Sequence, residues 1–391
     1  MSATTDASLP QHSPRIYSRE LVFLLCVLSL LLLVVITAFL SRMYHKQVHT
    51  LADSWFAQGQ RDMQAGDTAA ALTDYRNALV YNPNNTRFQF SLATALAAAG
   101  HGNEARAYLL NLLSESPGRG EVNLELARIA AQNSQTADAV RYYQGAIYGE
   151  WDADPIATRW QIRKELCQFL LDHGFMKQAA PEVIALAENT APNDVQRLKI
   201  VGQLLLRTQQ WTRAQELYRD LLTADRYDEE ALAGAAKTAF ELGQYSDALQ
   251  YFNRLPRERR DAPDLASSYD MSRRVLAVDP FVSGLSAKNK ALRATDALTL
   301  AQTRLQNCAR QNGESLLETP PRTDLQILWA QFQRTQSDWD QRDLERFPER
   351  LDASMEFVFG AENAATKSCG EPQGDDRALW LLGRSTSVVN R

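Results

Sequence analysis

The chain has 391 residues, 45% of them hydrophobic and 23% charged, with a formal net charge of −5 at pH 7. That length allows more than one domain with a real core, and the acidic balance speaks against a general nucleic-acid binder. Four cysteines without a Cys-x-x-Cys pair, and the lack of any phosphate loop, dinucleotide fingerprint or nucleophile elbow, leave no cofactor and no enzymatic reaction to expect.

In chain order, residues 1–20 read as a short disordered tail. Leu21 to Leu40, LVFLLCVLSLLLLVVITAFL, then runs without a charge. At about 1.5 Å per residue it covers roughly 30 Å, the thickness of a bilayer's hydrocarbon core. The run is longer than the apolar part of a signal peptide and passes into SRMYHK without a small-residue cleavage site. Leu25 stands before Cys26, where a lipoprotein needs a small residue. The expectation is a single transmembrane helix over 21–41 that contacts lipid. Arg15 and Arg19 on one side balance Arg42 and Lys46 on the other, so charge does not orient it. His45 and His49 lie one helical turn apart, but Lys46 stands where a zinc peptidase needs glutamate and no third ligand follows, so no metal site is expected. Nothing interrupts the helical pattern between Leu21 and Ala65, which predicts a membrane helix continuing straight into the next element.

From Trp55 a pattern begins: Trp55, Gly59, Ala71, Tyr75, Ala78, Pro83. Thirty-four residues on, Leu92, Ala93, Ala105, Leu109, Leu112 and Pro117 occupy corresponding or adjacent offsets, and a further 34 gives Leu126, Ala127, Ala139, Tyr143 and Ala146. After a break the phase returns with Leu166, Gly174, Ala179 and Val183, then Val201, Gly202, Ala214 and Tyr218, then Ala235, Ala236, Gly243, Ala248 and Phe252. Self-similarity at this period marks a solenoid. Each unit carries two short amphipathic helices. Small residues let the two approach, Gly66, Gly100, Gly174 and Gly243 fall at the turn between them, and Pro83 and Pro117 end the second helix.

These residues resemble the tetratricopeptide repeat, W-x3-G, then A-x3-Y-x2-A, then P, closely in the first copy and loosely in later ones. The fold expected is all-α: about six helical hairpins over 42–260. The resemblance implies a non-enzymatic scaffold that binds proteins or peptides. Between the third and fourth copies, GEWDADPIATRW is either a plain loop or a place where Trp151 and Trp160 add to a contact.

In the resembled family the first helix of each hairpin lines a concave groove. The fifth and ninth positions of each unit give Phe56 and Gln60, Phe90 and Thr94, Leu124 and Arg128, Lys164 and Gln168, Lys199 and Gln203, Ala233 and Lys237. No acid occurs among them. The expected groove is apolar near the membrane and basic away from it, suited to a peptide of the converse pattern, although Glu121, Asp172 and Glu230 close by equally describe a solvated face.

Beyond Pro256 the period fades. LASSYDMSRRVLAVDP reads as one more helix, and the apolar runs Ala287–Cys308, Leu325–Trp339 and Leu351–Val358 read as a three-helix cap over 261–391. In such an arrangement Cys308 and Cys369 come to the same end, where a disulfide would place the soluble part in an oxidising compartment; the alternative is two unrelated thiols. Cys167 reads as a repeat-core thiol. The leading reading is a single-pass scaffold in a bacterial inner membrane, repeats outside the cytoplasm, serving envelope assembly, secretion or folding. A cytoplasm-facing adaptor of a membrane enzyme, or an enzyme housed in 261–391, stand as alternatives.

Overall fold

The computed structural model describes residues 19–152 and 154–389. The tail expected at 1–20 lies, but for its last two residues, outside the described residues. Helix α1 runs from Arg19 to Ala65 without interruption, 47 residues. It therefore contains both the apolar segment and the first helix of the first hairpin, with no break at 41. Every residue from Leu21 to Leu40 is exposed, and α1 holds the one helical stretch among the described residues long and apolar enough to cross a membrane.

Six helical hairpins follow the sequence phase. The end of α1 pairs with α2 (Thr68–Tyr81). Next come α3 (Thr86–Ala98) with α4 (Gly102–Glu115), and α5 (Gly120–Gln132) with α6 (Thr136–Tyr148). After them stand α7 (Pro155–Asp172) and α8 (Met176–Glu188), α9 (Val195–Arg207) and α10 (Trp211–Ala224), and α11 (Glu229–Glu241) and α12 (Tyr245–Arg254). The chain divides inside α7, after Ile162, into two compact units.

The turn within each hairpin reveals why the repeat is legible. Its backbone enters the left-handed region at Gly66, Gly100, Gly174 and Gly243, with φ between 74° and 83°. The same conformation occurs at the equivalent points of the third and fifth hairpins, but there the residues are Ser134 (φ 56°) and Gln209 (φ 57°). A side chain in this region costs about 1 kcal/mol that glycine avoids. Ser134→Gly and Gln209→Gly are each expected to stabilise their unit by about 1 kcal/mol, read as a rise in the chemical-denaturation midpoint. No rise would mean that the turns relax in solution.

In the first unit, Ala71, Tyr75, Ala78, Ala105 and Ala139 are buried, as are Tyr143 and the leucines Leu92, Leu96, Leu109 and Leu126. Gly59 lies so close to the Tyr75 ring that a Cβ there would stand 2.8 Å from it. Trp55 is only half-buried, and Pro83 is exposed, a helix stop with no part in the packing. The loop after α6 is bound to the loop before α5: Gly120 N–H donates to Glu150 O at 3.0 Å and Glu150 N–H to Gly118 O at 2.7 Å. Trp151 lies over Gly120 and its indole N–H donates to Ala146 O at 2.9 Å, while Trp160 is 3% exposed. Both tryptophans hold structure; Trp160 is too buried to offer a contact surface, and Trp151 stays half-exposed.

In the second unit, Ala179, Ala214, Tyr218, Ala248 and Phe252 are buried in the same way, and Cys167 is a buried free thiol. After the short α13 (Arg257–Arg260) comes α14 (Ala266–Val278), packed on α12. The C-terminal helices belong to this unit, and they are more than the expected three. They are α15 (Ala287–Gln311), α16 (Asp324–Thr335), the short α17 (Gln341–Arg346), α18 (Pro348–Cys369) and α19 (Gly374–Val389). The run expected to reach Trp339 as one helix stops at Thr335; a 3₁₀ turn then carries Trp339 against Phe332 and Phe357. Ala294, Ala301 and Leu305 of α15 meet Met355, Val358 and Ala365 of α18 in this core. At its end Cys308 and Cys369 are joined by a disulfide, Cα atoms 5.8 Å apart.

Candidate functional site

The candidate groove positions fall on the first helices of the hairpins, and their surroundings differ between the two units. In the first unit Phe56 is 4% exposed. Its ring stacks on Phe88 at 4.6 Å and lies against Tyr75 at 5.5 Å, so it is a core residue and leaves the list of contact residues. Phe90, Thr94 and Leu124 are half-buried, as is Gln60. Arg119, just before α5, carries its guanidinium 5.8 Å from the Phe90 ring centre and pairs with Glu121. Arg128 is held at 2.8 Å by Glu125. The face is amphipathic, apolar rings and methyls framed by ion pairs, where the spacing had led us to expect an apolar one.

In the second unit, Lys164 is half-buried and Gln168 exposed on α7. Lys199 on α9 is not a free cation: its ammonium pairs with Asp228 and lies 3.7 Å from Glu230. The hydrogen bond to Asp228 lifts Lys199 above its ordinary pKa. Burial alone would raise the Asp228 carboxyl, but the bonds from Lys199 and from Ala231 N–H outweigh it and hold the acid below its ordinary value. Asp228 is also the N-cap of α11. One side chain thus starts α11 and ties it to α9, which corrects the expected basic character at this position. Gln203 is exposed and donates to Glu230 at 2.5 Å. Ala233 is buried.

Beside these lies a cleft of about 270 Å³. Its walls include Gln203, Arg207, Glu230, Lys237, Arg259 and Asp264, and its floor is Tyr218 under Gly234. Arg207 pairs with Asp172 at 2.7 Å, both exposed. Arg259 grips Asp264 through two bonds, 2.8 and 2.9 Å, which hold that carboxyl below its usual range with Lys237 adding to the effect. Burial pushes the Tyr218 hydroxyl up. Among the described residues Lys237 forms no ion pair within 4 Å. Sequence reasoning found Gln203 and Lys237 and named Glu230 only as part of a solvated face, but missed Arg207, Arg259 and Asp264. Arg207 sits four residues from Gln203 and Glu230 three from Ala233, each about one helical turn away. Arg259 and Asp264 flank α13, outside the repeat, and no spacing rule reaches them.

With Leu206, Ala233 and Leu265 among its charged walls, the cleft can hold an amphipathic chain segment by apolar contact and hydrogen bonds. It offers no nucleophile beside a base, and among the described residues no group of three metal-ligating side chains occurs.

Tetratricopeptide repeat family models match residues 62–115 and 205–269, and another of the same description matches 92–155. The chain carries tetratricopeptide repeats. Matched solved structures include the C-terminal part of a TPR repeat-containing protein from Cytophaga hutchinsonii, with 14% identity and a TM-score of 0.42, covering 63% of this chain and 95% of that one. YrrB, described as a TPR protein with an unusual peptide-binding site, shares 14% identity at a TM-score of 0.39, covering 51% and 97%. PilW, a type IV pilus biogenesis factor, shares 16% at 0.38, covering 56% and 97%. Such likenesses concern the fold alone. No curated protein sequence matches this one.

Proposed function

We propose that this tetratricopeptide protein is a membrane-anchored scaffold that holds other polypeptides against the first-helix faces of its repeats, with its soluble part outside the cytoplasm of a bacterial inner membrane. The observation that carries the reading is α1. Twenty exposed, uncharged residues, all apolar but Ser29 and Thr37, need a lipid environment, and the helix that bears them is continuous with the first repeat. The Cys308–Cys369 bond supports the oxidising side of the membrane, since such bridges do not persist in the cytosol. Work in envelope assembly, secretion or folding follows from that placement. In the groove, Phe90, Leu124 and Arg128 serve one unit, and Lys164, Gln168, Gln203 and Lys237 the other; Lys199 contributes by fixing α9 against α11.

A photo-crosslinking amino acid at Leu124 or at Gln168, in the full chain in its native membrane, tests this. Discrete polypeptide adducts are expected at both positions. The pair Lys237→Glu with Arg207→Glu should cut the Gln168 adduct at least about fivefold, because each reversal replaces a rim attraction with repulsion, while helicity is unchanged. Lys199 is unsuitable for reversal, since a carboxylate there would face Asp228 and Glu230. Adducts that are absent, or that survive the reversal undiminished, would remove the groove from the account.

A further inference from the structure

Where α15, α18 and α19 meet, the second unit encloses a small cluster of charges. Glu362, midway along α18, is fully buried, and neither of its carboxylate oxygens accepts a hydrogen bond from the protein. Two groups act on it. Asp376, in the first turn of α19, has a buried Oδ1 that is also unpartnered, and Arg304 of α15 has a buried Nε without an acceptor. Arg304 donates another N–H to Gly370 O at 2.8 Å, just past the bridged Cys369. Asp375 is paired on the outside with Arg274 of α14 at 3.1 Å. One guanidinium therefore stands against one enclosed acid, Glu362, and one half-buried acid, Asp376.

The helix that brings Asp376 occupies a particular place. α14 stacks on α12 as the first helix of a seventh hairpin, yet its second helix does not follow in sequence. α19 fills that position from beyond α18: Ala378 and Leu382 close over Val275 and Tyr245. Ser385 lies so near Gly243 that a Cβ there would be 2.8 Å away. Among the described residues, Ala378, Leu379 and Leu382 are the buried side chains that hold α19, Leu379 in the core shared with α15 and α18, and the elements that open first are those held by few buried contacts. Gly370 and Gly374, both at positive φ, bound the short link between α18 and α19.

We propose that Glu362 is a proton-operated latch for the C-terminal helix: neutral, it lets Asp376 and α19 seat against α14 and α18; ionised, it drives α19 away and bares the α12–α14 face. Burial pushes the Glu362 carboxyl from an ordinary 4.5 up to about 8, with the Asp376 charge adding and Arg304 opposing. Asp376 is itself raised by burial, against Arg304 and with Asp375. The seated state keeps a proton that the released state gives up. Seating is thus strongest below the released value and is lost as pH rises through about 8. The disulfide ties α15 to the end of α18, so the link at Gly370–Gly374 moves and the bridged pair stays.

Amide hydrogen exchange on the full chain in nanodiscs, corrected for intrinsic rates, reads the latch directly. Exchange across 374–385 should be at least about tenfold faster at pH 8.5 than at pH 5.5, with the amides of α15 equally protected at both. Glu362→Gln should give slow exchange at both values. If that variant does not fold, Asp376→Asn carries the test and should slow exchange at pH 8.5 towards the rate at 5.5. Equal wild-type rates at the two pH values, or a pH dependence that survives intact in the folded variant, would overturn the proposal.

Discussion

Reducing the Cys308–Cys369 bond is expected to lower the stability of the C-terminal helices by about 4 kcal/mol on chain-entropy grounds, without changing how α15 and α18 pack. The bridge closes a sequence separation of 61 residues. Its effect falls on the unfolded chain, which without the bond gains the freedom of a long open loop. The native contacts of Ala294, Ala301 and Leu305 with Met355 and Val358 do not depend on the sulfurs. Denaturation followed by fluorescence of Trp329 and Trp339, with and without reductant, should show the transition moving to lower denaturant, and Cys308→Ser should reproduce the shift. Cys167 does not confuse the readout, because burial pushes its thiol up to about 12, out of exchange chemistry's range. Thiol trapping in intact cells completes the measurement. If both cysteines are alkylated there, the bond does not exist in place and the orientation outside the cytoplasm loses its support.

Gly234→Ala is the second large effect. Tyr218 is 1% exposed, its ring wedged between Gly202 of α9 and Gly234 of α11. A Cβ on Gly234 would stand 2.1 Å from Tyr218 Cζ. No rotamer adjustment of the terminal atoms resolves that, so the ring or the helix must move. The expected loss is about 3 kcal/mol, at the upper end for overpacking, and the cleft above the ring should deform with it. Gly202→Ala should cost less, since its Cβ would stand 2.8 Å from the same end of the ring rather than 2.1 Å. The decisive comparison is a double-mutant cycle. Tyr218→Leu alone destabilises, but in the Gly234→Ala background it should recover at least about 1 kcal/mol. A Gly234→Ala protein within about 1 kcal/mol of the parent would mean that α9 and α11 do not approach as closely as described.

The hairpins were legible because each is a local object. The turn needs a left-handed residue at a fixed phase, and glycine at four of the six positions shows where. Ser134 and Gln209 hide the other two, yet alanines at Ala139 and Ala214 keep the count. Burial is less local. Phe56 stands at a groove offset, but Phe88, 32 residues on, reaches back over it and encloses it. Lys199 reads as an open cation until Asp228, placed by the start of α11, closes on it. α19 was missed altogether. Its partner α14 lies before three other long helices, and the short GEPQG link before it reads as the end of structure. No periodicity announces a helix that completes a hairpin begun so far upstream.

The unbroken α1 has a mechanical corollary. A helix of 47 residues is roughly 70 Å long, with no glycine or proline between Leu21 and Gln58 to bend it. It is a mast, not a tether. On the membrane-anchored reading we propose, leaning the apolar end of the helix would swing the first hairpin through the same angle, and each residue added between Leu40 and Ala52 would turn that hairpin about the shaft by about 100°. On that reading, the height and heading at which a polypeptide would be met are written into the length of one helix.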